Sequence, residues 1–247
     1  MSERYRLIDD IRGFALVNMI LFHAIWDLVY LYGVEWSWFV GVPGEIWQQA
    51  ICWTFILVSG FCLSFSSQPL KHGVEVSLAG LAVTFVTLGF MPQACIIFGV
   101  LTCIGACMLL LGVVRPFLER LQGVAGWMAL LFLVLFLFTR GLIDGYVGFG
   151  KWFTITVNPS FYKNLFTTFL GMPMPGFYSA DYFPLIPWLF LFACGYFLSL
   201  WLAKNDKLHI FRKSYCRALS WAGRHSLFIY LLHQPIIFVL LRPFFPS

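Results

Sequence analysis

The chain has 247 residues, of which 60% are hydrophobic, 19% are aromatic and only 11% are charged. About a quarter of the residues in a soluble globular domain are charged. With a mean hydropathy of +0.83, the composition therefore excludes a soluble protein and indicates an integral membrane protein. The formal net charge of +5 does not indicate nucleic-acid binding, because the basic residues cluster in a few loops, as orientation signals do. We expect a single membrane domain over residues 1–247.

Seven apolar segments predict an all-α bundle of about seven transmembrane helices. Most of them approach the roughly 20 residues that a helix needs to cross a bilayer. The third is the least apolar, because Glu75 and Ser77 dilute it. In chain order, the predicted spans lie near residues 10–32, 46–66, 74–91, 94–114, 124–140, 184–203 and 219–241.

The basic residues also predict the orientation of the bundle. Cytoplasmic loops of membrane proteins carry an excess of Lys and Arg, which here places the N-terminus in the cytoplasm. An odd number of spans then places the C-terminus outside. The predicted inner loops hold Arg4, Arg6, Lys71, Arg115, Arg120, Lys204, Lys207, Arg212, Lys213 and Arg217, and the outer side holds Arg140, Lys151, Lys163 and Arg242.

One long connection, residues 141–183, falls on the predicted extracytoplasmic side. It is rich in Gly, Pro and aromatic residues, and it is too apolar for a disordered segment. Residues 161–170 are expected to form a short helix at the membrane interface, which the prolines of residues 172–176 end.

The seven cysteines predict neither a disulfide framework nor a metal site. Their number is odd, and six of them fall in apolar segments, where a cysteine is usually a small buried hydrophobic side chain. Cys103 and Cys107 share a helical face, but two thiols without further ligands make a poor metal site.

The first span carries four ionisable residues on one helical face: Asp9, Arg12, His23 and Asp27. Arg12 and His23 are eleven residues apart, which is about 16 Å along a helix. Ionisable groups at membrane depth are costly and indicate a functional site. Asp27 lies one turn after His23 and could orient the imidazole as a base; the alternative is a buried pair that only holds helices together. Arg12 could bind substrate or could anchor the helix at the inner interface as the ion-pair partner of Asp9.

The seventh span carries a second set of polar residues. Ser226, Tyr230 and His233 lie within about 40° of one another around a helix axis, and Pro235 frees a backbone carbonyl one turn earlier. His233 is the second histidine at membrane depth. It is a candidate for the site, and packing is the alternative.

Two further segments contribute candidate substrate-binding residues. Ser59 shares a face with Gln48 and Cys52, although small residues there could simply permit close helix packing. Asp181 and Trp188 lie at the start of the sixth span, where Asp181 could cap that helix or face an acceptor at the outer mouth.

These segments together resemble the transmembrane acyltransferase superfamily. The opening Asp9-x-x-Arg12-Gly13 … Phe22-His23 is similar to the Arg-x10-His pattern of acyltransferase 3 proteins. The bacterial relatives of the heparan-alpha-glucosaminide N-acetyltransferase catalytic domain are closer, and the segments that carry this likeness are 23–28, 98–105, 181–188 and 223–236. The chain departs from acyltransferase 3 proteins, which typically have about ten spans. It also departs from the lysosomal heparan enzyme, which has Asn where His23 falls.

The resemblance implies transfer of an acetyl or other acyl group from cytoplasmic acetyl-CoA to a hydroxyl or amine of a saccharide or small acceptor. His23 would be the general base of a direct transfer, oriented by Asp27, or would carry the acetyl group as an acetyl-His intermediate. The basic stretch from Lys204 to Arg217 could attract the phosphates of CoA or could serve only as an orientation signal. Donors to the oxyanion could come from Ser59, Ser226 or Tyr230. The expected location is the cytoplasmic membrane, with the lipid bilayer, the donor and the acceptor as partners; a homodimer is compatible with the sequence.

Two other classes of protein remain open on the sequence. A transporter or flippase is expected to show broken helices in matching halves, and we find no such symmetry. A haem protein with His23 and His233 as axial ligands is chemically reasonable.

Overall fold

The computed structural model describes residues 5–150 and 152–244 and is helical in most of them. The α-helices are α1 (Arg6–Tyr30), α2 (Ser37–Val40), α3 (Val42–Leu63), α4 (Pro69–Phe90), α5 (Val100–Arg120), α6 (Ala125–Thr139), α7 (Leu165–Leu170), α8 (Leu185–Lys204), α9 (Arg217–Arg224) and α10 (Ser226–Leu241). Short 3-10 helices lie at Pro92–Ala94, Leu121–Val124, Arg140–Asp144, Pro159–Phe161 and Leu208–Phe211. The prediction of an all-α polytopic bundle is confirmed.

Within the described residues, five helical segments are long and apolar enough to cross a membrane: α1, α3, α4, the continuous run Val100–Asp144, and α8. A sixth is added if α9 and α10 are counted as one broken span. The run Val100–Asp144 has 45 residues and contains two of the seven predicted spans, now α5 and α6, with a 3-10 turn between them. The number of crossings and the orientation therefore stay predictions.

The last predicted span, 219–241, is not one helix. It breaks at His225, and α9 and α10 meet there at 90°. The last carbonyls of α9 remain hydrogen-bonded at this break. Trp221 O and Ala222 O accept from the backbone N–H of His225, and Gly223 O accepts from the Arg12 guanidinium. These hydrogen bonds offset those that the helix loses where it breaks. A hydrophobicity profile does not reveal such a break.

The helices pack into two compact units. The terminal unit comprises residues up to Val58 and from Asp206 onward, and the central unit comprises Ser59–Asn205. In the terminal unit, α1 packs against α9 and α10. Its hydrophobic core is formed by Leu16, Met19, Phe22, Phe39 and Ile51, with Trp47 and Tyr230 among the partly buried side chains around it.

Glycines bring the backbones of α1 and α9 into direct contact. A Cβ atom on Gly13 would overlap the carbonyl of Leu219, and one on Gly223 would overlap the carbonyl of Asp9. Only a residue without a side chain fits at either position, so these two glycines fix where the start of α1 lies against α9.

In the central unit, α4 packs on α5 and α6 packs on α8. Glycines again allow close approach, since a Cβ on Gly80 would overlap Thr102 and one on Gly105 would overlap Ser77. The buried face of α8 includes the fully buried Phe192 and Phe197. The loop of residues 141–183 connects α6 to α8.

The long loop is more structured than predicted. It contains two antiparallel strands, β1 (Tyr146–Gly148) and β2 (Thr154–Thr156), with Val147 opposite Ile155. The helix expected over residues 161–170 forms only as α7, because Asn164 caps it by accepting from the N–H of Thr167.

Candidate active site

The two histidines that the sequence predicts at membrane depth come together in the terminal unit. The ring of His23 on α1 and the ring of His233 on α10 have centroids 4.8 Å apart and planes tilted by 52°. His233 is buried, at 8% exposed, and His23 is half-buried. Phe22 meets the His23 ring edge-on and belongs to the core. Two imidazoles that the sequence placed 210 residues apart thus form one site.

The hydrogen bonds of His233 define its tautomer. Its Nδ1 contacts the carbonyl oxygen of Tyr230, one turn earlier on α10. A carbonyl only accepts, so Nδ1 carries the proton and a neutral ring has its lone pair on Nε2. Within the described part of the chain, that buried Nε2 has no hydrogen-bond partner.

Asp27 lies in the same site, fully buried at 0% exposed. Its Oδ1 accepts a hydrogen bond of 2.7 Å from Nε2 of Gln234, the residue after His233. Asp27 Oδ2 and Gln234 Oε1 are both buried and have no partner among residues 5–150 and 152–244. A buried polar atom without a partner costs free energy, so the three such atoms of Asp27, His233 and Gln234 mark a place suited to a polar ligand or water.

Sequence reasoning did not single out Gln234. The expected neighbour of Asp27 was His23, and the bond that the structure shows goes to α10 instead. Gln234 could have been found from the sequence, because it is an amide that directly follows a histidine within an apolar helix. Polar groups at membrane depth need partners.

Asp9 and Arg12 lie at the other end of α1. The Arg12 guanidinium is 3.2 Å from the Gly223 carbonyl and 3.8 Å from the Asp9 carboxylate, so it ties α1 to the last turn of α9. Along the helix this joint is about 16 Å from His23. The structure therefore does not bring Asp9 and Arg12 to the histidine pair.

Asp10, which was not among the predicted site residues, strengthens the same joint between α1 and α9. Its carboxylate accepts from Ser214 Oγ at 2.9 Å and from the backbone N–H groups of Tyr215 at 2.7 Å and Cys216 at 3.3 Å. These residues lead into α9, and a carboxylate beside a helix N-terminus is favourable. Asp10 thus holds the start of α9 while Arg12 holds its end.

Of the other residues predicted on α10, Tyr230 reaches the histidine pair and Ser226 starts the helix. The Tyr230 ring centroid is 5.3 Å from that of His233. Ser226 is half-buried at the first position of α10, two turns before His233.

Ser59, Asp181 and Trp188 belong to the central unit. Ser59 is half-buried on α3, and the next residue, Gly60, lies against the backbone of Phe192. Trp188 is 7% exposed and packs between Phe136 and Phe183, with ring centroids at 5.4 and 5.0 Å.

Asp181 does cap a helix, but this helix is α5 and not the sixth predicted span, which was one of the two alternatives for Asp181. That span, α8, has Pro184 at its N-cap position without a side-chain cap. Asp181 Oδ2 instead accepts from the N–H of Val100 at 3.2 Å, at the first residue of α5. Burial raises the pKa of Asp181 to about 6, and this hydrogen bond acts in the opposite direction.

The helices and the site define a polytopic membrane protein with a buried imidazole, carboxylate and amide cluster between α1 and α10. Residues 4–235 match the model of the family described as heparan-alpha-glucosaminide N-acetyltransferase, catalytic, and the chain belongs to this family. The matched range includes every residue of the cluster. No curated protein and no solved structure matches the chain. The family resemblance is thus confirmed, while the match does not address the acyltransferase 3 pattern.

Proposed function

We propose that this protein is an acetyltransferase of the cell membrane that moves an acetyl group from cytoplasmic acetyl-CoA to a hydroxyl or amine of a saccharide or small acceptor. The observation that carries the proposal is the contact between His23 and His233 beside the buried carboxylate of Asp27, in a chain of an acetyltransferase family. Such a cluster is costly at membrane depth, and acyl transfer gives it a use.

His23 is the general base of this reaction. It accepts the proton of the acceptor hydroxyl or amine, and the acceptor atom forms a bond to the thioester carbonyl carbon. The carbon–sulfur bond then breaks, and the leaving CoA thiolate takes the proton back from the His23 imidazolium. The products are the acetylated acceptor and CoA thiol, and the enzyme returns to its starting state.

The neighbouring groups support the charges that form in this step. Asp27 supplies a negative charge that offsets the imidazolium, because an opposite charge nearby favours the protonated ring. Tyr230 and Ser226, on the helix that carries His233, are the candidates for donors to the oxyanion. The basic stretch from Lys204 to Arg217 is the proposed attraction site for the CoA phosphates.

Acetyl transfer by purified protein tests the proposal. The protein is incubated with radiolabelled acetyl-CoA and amine or hydroxyl sugars, and acetylated product and CoA thiol are measured together. General acid–base catalysis contributes about 10²- to 10⁴-fold to a rate, so we expect His23→Ala to lower kcat by a factor in this range. The matched control is His72→Ala, which replaces an exposed histidine of the central unit and should keep wild-type turnover. Unchanged turnover in a folded His23→Ala protein would remove His23 from the chemistry.

The histidine pair does not fit axial ligation of a haem. An iron between two opposed imidazoles needs a metal–nitrogen bond of about 2 Å on each side. Each ring centroid lies farther from the iron than the bonded nitrogen does. A centroid separation of 4.8 Å leaves no room for a metal and its macrocycle between the rings. The geometry therefore favours proton transfer over haem binding.

A further inference from the structure

In His233, the ring nitrogen Nδ1 makes a hydrogen bond, and Nε2 has no hydrogen-bond partner among the described residues. The contact of Nδ1 with the Tyr230 carbonyl fixes the proton on Nδ1, and the lone pair of Nε2 then has to accept. This Nε2 is buried and unpaired within the described residues. Such an atom is stabilised by any N–H that can reach it.

The ring of His23 is placed to supply that N–H. Its centroid is 4.8 Å from the His233 centroid, and the χ2 torsion of a histidine has a broad energy well. Ring nitrogens that face each other across this separation are within hydrogen-bond distance. Asp27 contacts α10 through Oδ1, which accepts from Gln234, and its Oδ2 has no partner among the described residues.

We propose that His233 is the positioning residue of His23, accepting a ring N–H of His23 on its own Nε2. The inference rests on the proposed acetyl transfer. In the resting enzyme this hydrogen bond leaves the other nitrogen of His23 unprotonated and directed at the acceptor. When His23 has taken the acceptor proton, its imidazolium still donates to His233, which spreads the charge toward the Tyr230 carbonyl. His233 itself neither gains nor loses a proton, and the atom balance of the reaction is unchanged.

Two substitutions of similar length separate an acceptor role from a packing role. His233→Gln keeps an acceptor oxygen about as far from the backbone as Nε2, whereas His233→Met has none of comparable strength. We expect kcat to fall about 10²-fold in His233→Met and only a few-fold in His233→Gln, with KM for acetyl-CoA unchanged in both. His72→Met is the control and should match the wild type. An equal loss of kcat in the Gln and Met variants overturns the inference.

The tautomers can be read without any activity. In protein labelled with ¹⁵N-histidine, the His233 resonances are assigned by their loss in His233→Gln. We expect a protonated Nδ1 and an unprotonated Nε2, and we expect the Nε2 signal to move when His23→Phe removes its donor. A proton on Nε2, or a signal that His23→Phe leaves in place, overturns the inference.

The two experiments also keep the two proposals apart. If the wild type transfers no acetyl group to any acceptor, the proposed function fails, and the NMR spectra still decide whether His233 accepts from His23. If the wild type is active and His233→Met is equally active, the proposed function stands and the positioning role of His233 is lost.

Discussion

The carboxyl group of Asp181 links burial to pH-dependent stability. Its pKa is about 6 in the folded protein and about 3.9 in an unfolded chain. Since the folded state holds the proton more tightly, ionisation of Asp181 favours unfolding. The contribution of Asp181 to the free energy of unfolding is therefore highest below pH 4, falls as the pH rises from about 4 to about 6, and stays lower above. The shift corresponds to at most about 3 kcal/mol.

Asp181→Asn should remove this pH dependence, because an amide oxygen can still accept from Val100 and cannot ionise. We expect the variant to be more stable than the wild type at pH 7.5, with the advantage disappearing near pH 4. Thermal unfolding in detergent at several pH values measures the difference in Tm. Asp144→Asn, which changes an exposed carboxylate of the same unit, is the matched control. A constant difference between Asp181→Asn and the wild type across pH would contradict the argument.

At the residue scale, the sequence predicted which side chains are unusual but not what they bind. His23, Asp27 and His233 could be identified because an ionisable group in an apolar helix is rare and costly. The bond from Gln234 to Asp27 joins residues 207 positions apart, and no periodicity within one helix reports such a contact. The ion pair of Arg12 with Asp9 could be predicted from their spacing, but the hydrogen-bond partner of Arg12, the Gly223 carbonyl, lies on a different helix.

At the scale of elements, the joint between α1 and α9 depends on Gly13. A methyl group at this position would overlap the Leu219 carbonyl, so Gly13→Ala has to move α9 away from α1. We expect a loss of stability of about 1–3 kcal/mol, the usual cost of overpacking a tight contact, seen as a lower Tm. We also expect reduced acetyl transfer, because α9 leads directly into the helix that carries His233.

Gly89→Ala is the control for this substitution. Gly89 is also helical, in α4, and a Cβ atom there would meet nothing within 4 Å. Alanine is favoured over glycine in a helix by about 1 kcal/mol, so Gly89→Ala should leave the Tm unchanged or raise it. A Gly13→Ala protein as stable as Gly89→Ala would show that α1 and α9 do not need close backbone contact.

Helix positions were predictable because apolar length is a strong signal, and the predicted spans near 10–32 and 184–203 agree with α1 and α8 within a few residues. The positions at which helices break were not predictable from the sequence. The end of α9 is decided by hydrogen bonds to Arg12 and His225, and the start of α7 is decided by the Asn164 cap. Such breaks depend on one or two polar contacts, which an average over some 20 residues does not resolve.

At the scale of the whole molecule, the proposed transfer from cytoplasmic acetyl-CoA to an acceptor beyond the membrane requires a defined topology. The helical run Val100–Asp144 has 45 residues. A straight helix of that length would measure about 68 Å, roughly twice the hydrocarbon thickness of a bilayer. The 3-10 turn at Leu121–Val124 divides it into two pieces, which favours two crossings with the turn on one side and the loop of residues 141–183 on the other.

Cysteine labelling of intact cells tests this arrangement. The basic residues predict that the turn is cytoplasmic and the loop extracytoplasmic. An impermeant thiol reagent should therefore modify Ser160→Cys in intact cells and modify Gln122→Cys only after the cells are opened; both positions are exposed. The wild type gives the background, since its seven cysteines are buried or half-buried. Labelling of both variants from the same side would mean that the run crosses an even number of times or not at all between these positions. If both variants are labelled only after the cells are opened, the loop at the start of α8 lies in the cytoplasm and could not receive an acceptor from outside.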